Sequence, residues 1–132
     1  MKEHKFMGRI LLKEVCCPVE DENYYNDDVL FLSDDLETPL SERIANSLIA
    51  GECTVRYWIN LYETNGSLCE EILYNVLTGL LDADYVNDAY YYSEWTKGSD
   101  FNELLKIGEH DLLEELKSFE NKWLQLEIIE EI

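Results

Sequence analysis

Apolar and polar positions alternate along much of the chain, and the period of that alternation predicts most of its elements. In Phe6–Val15, Phe6, Gly8, Ile10 and Leu12 share one parity against Met7, Arg9 and Lys13, which predicts a strand ended by Pro18. Val29–Leu32 is a short apolar run and reads as a second strand, closed by Ser33-Asp34-Asp35. Pro39 followed by Ser41-Glu42-Arg43-Ile44 predicts a helix over Glu42–Ala50, with Gly51 just past its end. Cys53–Tyr62 is rich in β-forming residues (Thr54, Val55, Tyr57, Trp58, Ile59) and predicts a strand.

The second half reads as a mixture. Ser67 with Glu70 forms a capping box ahead of Leu68, Ile72, Leu73, Val76, Leu77 and Leu80, a broad stripe that predicts a helix over Leu68–Leu81. Asp88–Trp95 predicts a strand, Lys97-Gly98-Ser99-Asp100 a turn, and Phe101–Ile107 an irregular or short helical link. Leu112, Leu113, Leu116 and Phe119 predict a helix over Leu112–Phe119, and the alternation in Lys122–Ile129 a closing strand with one wet face. No repeat is visible. The expected architecture is a single α+β domain over residues 1–132, with about five mostly antiparallel strands and two or three helices packed on one face.

Charge changes this picture most. The net charge is −19 over 132 residues. Between Lys13 and Arg43 stand ten acids and no base, and seven more acids lie between Arg56 and Lys97, so two base-free stretches hold 17 of the 29 acids. Self-repulsion at such a charge costs stability. Direct binding of nucleic acid or an anionic membrane is disfavoured, because both need Lys and Arg facing phosphate. The 46% hydrophobic content and sixteen aromatic residues argue against disorder. No stretch is long and apolar enough for a spanning helix and no secretory leader is visible, so a cytoplasmic protein is expected. The acidic, tyrosine-bearing segment at about 19–38 is expected to be rich in loop, and to carry a partner-binding surface of Glu20, Asp21, Glu22, Tyr24, Tyr25, Asp27, Asp28, Asp34 and Asp35. Acids two apart on a strand stand about 6.6–6.8 Å apart, close to the ~7 Å between phosphates along one nucleic-acid strand. Such a surface suits the basic cleft of a nuclease or nucleic-acid-binding enzyme; plain solubility is the alternative account.

Signatures of catalysis are sparse. Asp82-Ala83-Asp84-Tyr85-Val86-Asn87-Asp88 suggests a calcium loop, but the fifth, sixth and twelfth places hold Val86, Asn87 and Ser93, and a solvated helix-to-strand turn fits better. Cys16, Cys17, Cys53 and Cys69 have no zinc-site spacing and read as reduced structural thiols. Glu109-His110-Asp111 resembles a general-base cluster, yet it stands where a helix starts, so His110 or Asp111 serves equally as an N-terminal cap. No cofactor, metal or enzymatic activity is expected. Two other readings stay open: a small-molecule-binding or accessory domain whose Tyr/Trp strands form a pocket with His110 at its mouth, and a hydrolase centred on that cluster. Self-association through an edge strand is compatible with the pattern.

Arg56-Tyr57-Trp58-Ile59, then Gly108-Glu109-His110-Asp111-Leu112-Leu113-Glu114-Glu115-Leu116-Lys117-Ser118-Phe119, Lys122 and Leu126-Glu127-Ile128, resemble a group of small phage, prophage and gut-bacterial proteins. The resemblance covers roughly Cys53 to Glu130 and brings no catalytic residue with it. It implies a mobile-element setting, and with that an inhibitor of the anti-CRISPR or antirestriction kind, acting through nucleic-acid mimicry.

Overall fold

The computed structural model describes residues 2–18, 24–47, 51–61, 71–93 and 96–131, with residues 16–18, 24–26, 89–93 and 96–99 described through their backbone alone. They form β1 (Lys2–Pro18), β2 (Tyr24–Leu32), α1 (Leu40–Ser47), β3 (Gly51–Asn60), β4 (Ile72–Ser93), β5 (Thr96–Ile107), β6 (His110–Asp111), α2 (Leu112–Lys117) and β7 (Trp123–Glu130). One seven-stranded antiparallel sheet results, in the order β2-β1-β7-β3-β4-β5-β6.

This overturns the expected α+β balance. The described residues are mostly strand, seven strands in one sheet, with two short helices. The largest correction is Leu68–Leu81, where the expected helix gives way to β4 from Ile72 onward; Ser67 and its capping box lie outside the described residues. Apolar residues there occupy both parities, which satisfies a helical stripe and a strand with two apolar faces alike. Leu73, Leu77 and Leu81 turn inward while Ile72, Tyr74, Val76 and Leu80 stay exposed on the other face. Ile, Tyr, Val and Thr prefer the strand, and Gly79 weakens a helix. The expected turn at Asp82–Asp88, the turn at Lys97–Asp100 and the link at Phe101–Ile107 are likewise strand, paired as β4 and β5 over Leu81↔Ile107 to Ser93↔Thr96. Gly51 opens β3 instead of ending a helix, and β7 is central, between β1 and β3, so it is not an edge.

The sheet also contains a repeat that residue identities conceal. A shift of 71 residues carries Gly8 onto Gly79 and Cys53 onto Leu124, and it turns the pair Gly8↔Leu124 into Gly79↔Cys53. Two units follow one another, each a long bent strand, a returning strand, a helix and a closing strand: β1-β2-α1-β3 and β4-β5-α2-β7. Each closing strand pairs with the other unit's long strand, and the two closing strands pair with each other. Arg56↔Glu127 is the pair that this exchange maps onto itself, and those side chains form an ion pair, Nη2–Oε2 2.8 Å.

Both long strands change partner where a glycine stands. At Gly8 an added Cβ would lie 3.0 Å from Leu32 Cβ and 3.0 Å from the Ser33 nitrogen; at Gly79, φ 149°, it would lie 3.1 Å from the Gly108 nitrogen. The chain leaving the returning strand crosses here, and its N–H bonds to the next carbonyl of the long strand: Ser33 to Arg9 at 3.0 Å, Gly108 to Leu80 at 2.8 Å. Helices and inward side chains share one core, with Ile10, Leu30, Leu32, Leu40 and Ile44 of the first unit against Leu105, Leu112, Leu116, Leu124 and Leu126 of the second. Gly79→Ala should destabilise the protein by about 1–3 kcal/mol through overpacking against backbone. Urea denaturation with an unchanged slope would check this; an unaltered midpoint would remove the close approach as a constraint.

Candidate functional site

Past Arg9 and Leu81, just after the two glycines, each long strand pairs only with its returning strand, giving two arms: β1 with β2 from Ile10↔Leu32 onward, and β4 with β5 beyond Leu81↔Ile107. The arms carry much of the acid. Glu14 stands directly opposite Asp28 in one, and Asp88 opposite Asp100 in the other, all four exposed. Directly opposed like charges on neighbouring strands cost roughly 0.2–1 kcal/mol each. Elsewhere the second arm is balanced: Asp82 faces Lys106, and Asp84 accepts a hydrogen bond from Asn102 Nδ2 at 3.0 Å.

The expected binding surface is placed differently from the loop foreseen. Glu20, Asp21 and Glu22 lie outside the described residues. Tyr24 and Tyr25 belong to β2, in register with Pro18 and Cys17, and Asp27 and Asp28 continue that strand. Asp34 is held by Arg43 in a two-pronged pair, 2.9 and 3.0 Å. Asp35 accepts the backbone N–H groups of Glu37 and Thr38 at 3.0 and 3.1 Å, and these bonds hold its carboxyl below the ordinary 3.8. Asp34 and Asp35 therefore organise the turn between β2 and α1, while Asp27 and Asp28 sit on the arm. Glu14, Asp88 and Asp100 are the acids that sequence reasoning did not single out. The signal that would have found them is hairpin register, which brings acids from distant positions into opposition.

A buried ion pair joins the two arms. Lys117 Nζ lies 2.7 Å from Glu103 Oε1 and donates to the Asp28 carbonyl at 2.7 Å, while Glu103 Oε2 accepts the Leu30 N–H at 2.9 Å. Glu103 on β5 is only 3% exposed, so its charge depends on these donors. One residue of α2 thus ties the returning strand of each unit to the other. Lys117→Met should cost about 3–5 kcal/mol by leaving a buried carboxylate without its cation. The double variant with Glu103→Leu should recover most of that loss in thermal or urea denaturation; if both changes simply add, the pair is not coupled.

The Glu109-His110-Asp111 cluster is committed to structure in two of its three residues. Asp111 caps α2, its Oδ1 accepting the Glu114 N–H at 3.2 Å. His110 Nε2 lies 2.8 Å from Glu115 Oε2. Glu115 also bonds the hydroxyl of Tyr57, which Asn75 Nδ2 meets at 3.3 Å. Burial, and then the Glu115 carboxylate, push the Tyr57 hydroxyl up to about 12. Tyr57 points into the core, whereas Trp58, the next residue, lies on the opposite face with its ring 5.1 Å from that of Tyr74. Of the two β3 aromatics, Tyr57 is linked to His110 through Glu115 and Trp58 lies on the opposite face; Trp95 lies outside the described residues. Cys53 is a buried free thiol, raised by burial and then by Glu130, Glu52 and Glu131. Among the described residues no three His, Cys, Asp or Glu side chains come together as a metal site, and no helix is long and apolar enough to cross a membrane.

Comparison of the chain with family profiles, curated proteins and solved structures finds no match. The site must therefore be argued from its own chemistry. Because the folded value of Tyr57 is raised above the ordinary 10, its protonated form adds stability that is whole below pH 10 and is lost as pH rises toward 12. In an absorbance titration of tyrosinate, Tyr57→Phe should remove a component that ionises near 12; loss of amplitude near pH 10 instead would place the hydroxyl in water.

Proposed function

We propose that the protein is a non-enzymatic acidic binding protein whose arms occupy a Lys/Arg-rich surface on a nucleic-acid-processing protein. The observation that carries this reading is the cross-strand opposition of Glu14 to Asp28 and of Asp88 to Asp100, one pair per arm. A chain selected for solubility alone gains nothing by setting like charges face to face, where they oppose its own strand pairing. A cationic groove would relieve that repulsion, and binding would gain what folding has forgone. Asp84 shares the outer side of β4 with Asp88, with Val86 between them, and adds to the acid of this arm beyond the Asp82–Lys106 pair.

The resemblance of the second half to small phage and prophage proteins gives the reading its setting. The partner is then a host defence or nucleic-acid-handling enzyme, and the inhibitor is of the anti-CRISPR or antirestriction kind. In this reading Asp27 and Asp28 belong to the binding surface, with Tyr24 and Tyr25 on the same strand; Asp34 and Asp35 have structural partners and contribute background charge.

The test is a salt series of binding to an immobilised basic nuclease, with Asp28→Asn and Asp100→Asn compared with the parent. Each variant should bind several-fold more weakly at low salt, and each should gain a few tenths of a kcal/mol in stability by relieving its opposed pair. Binding that ignores both substitutions and ionic strength would sink the reading.

A further inference from the structure

The helices and core cover one side of the sheet; the outer side of β1, β7, β3 and β4 is open. Ile72 is 55% exposed, Tyr74 51%, Val76 43%, Leu80 61% and Met7 48%, and Trp123 joins them at 39%. Four are consecutive outward residues of β4 but for Thr78, and Tyr74 stacks on Trp58 of β3. Scattered exposed apolar residues are ordinary, but a continuous aromatic and aliphatic face on a sheet is an interaction surface.

Charge selects what covers it. On this face Lys5, Arg9 and Arg56 are set against Glu3, Glu52, Glu127 and, just past β7, Glu131. Over the stretch where these four strands pair with one another, short of the arms, these sum to one net negative charge in a chain of −19. At its centre Glu127 lies 2.8 Å from Arg56 and 4.0 Å from Lys5, so the central charges are already matched within one molecule. A basic protein finds its attraction on the acidic arms, not here. Two copies of a strongly acidic chain repel over the rest of their surface and meet without that penalty only where charge is balanced. Area agrees. Four strands about 4.8 Å apart and about 30 Å long offer a footprint of roughly 600 Å², which side-chain relief brings near the ~800 Å² per partner of a standard interface.

We infer that the open face of β1, β7, β3 and β4 is a homodimer interface, in which two copies stack sheet on sheet and bury Tyr74, Trp58 and Val76 along its β3–β4 side. The arrangement is a β-sandwich closed between molecules, with the two sheets about 10 Å apart. It leaves both acidic arms at the rim, so a dimer presents four of them. It differs from edge pairing, which would use β2 or β6.

Sedimentation velocity over a concentration series, at low and high salt, tests this. The dimer should tighten as salt rises, because screening removes repulsion between the acidic surfaces; binding of the arms to a basic protein has the opposite dependence. Tyr74→Asp should weaken dimerisation at least tenfold with unchanged circular dichroism and, at concentrations where parent and variant are both monomers, an unchanged denaturation midpoint, and Ile72→Asp at the end of β4 repeats the test if the first variant does not fold. Dilution of the parent should also shift tryptophan emission, and Trp58→Phe should diminish that shift. A monomer at every concentration and salt would overturn the proposal and leave the face to a different protein. So would a dimer that neither substitution weakens, which would point to an edge strand.

Discussion

The whole architecture depends on two backbone crossings where no side chain fits. At Gly8 and Gly79 a long strand passes beneath the chain leaving its own returning strand, close enough that a methyl group would press on Ser33 or Gly108. Each crossing is closed by one backbone hydrogen bond. Because the strand continues through the crossing instead of stopping, one segment serves two neighbours in succession: a closing strand up to Arg9 or Leu81 and a returning strand after it. The two arms are the part of each long strand that lies beyond this change of partner. Hydrophobic burial supplies the driving force, but the glycines decide what shape it drives toward.

The charge is distributed to suit this frame. Carboxylates withdrawn from water are given partners: Glu103 has Lys117, Glu127 has Arg56, and Glu130 meets His4 Nε2 at 2.8 Å. The last two cross between the units and between segments distant in sequence, and the first reaches across through the Asp28 carbonyl and the Leu30 N–H. The remaining acids lie outside, with opposed pairs confined to the arms, where the loss of pairing strength is least damaging to the core.

Elements whose apolar residues keep to one parity or one short stripe were legible in the sequence. The strand around Ile10, the strand of Val55, Tyr57 and Ile59, the helix of Leu112 and Leu116 with Asp111 at its start, and the strand ending in Ile128 all stand where periodicity puts them. Leu68–Leu81 was not, because a strand with two apolar faces imitates a helical stripe; the face left open on β4 is what misled the reading. Asp82–Asp88 and Lys97–Asp100 were mistaken for turns because Asp, Asn and Gly signal turns, while their pairing is imposed by the register set at Leu81↔Ile107. The repeat escaped notice because few residues beyond Gly8 and Gly79 are shared between equivalent strand positions. The candidate site was half legible: its sign and Asp27 and Asp28 were readable, but its opposed pairs exist only once strands are aligned.

The central place of β7 bears on how the protein is made. This strand is the last in chain order, yet it fills the slot between β1 and β3, with Glu130 opposite Lys2 at one side and Cys53 at the other. Until it arrives, a nascent chain holds two unsatisfied strand edges and an unfinished core. Local hairpins and the β3–β4 pair can form early, but docking of β1 onto the rest of the sheet waits for contacts with β7 that span nearly the full length of the chain, the kind that fold slowly. The interval between synthesis of β3 and insertion of β7 is therefore the time of greatest exposure to misassembly, and the mutual repulsion of so many acids would keep unfinished chains apart during it.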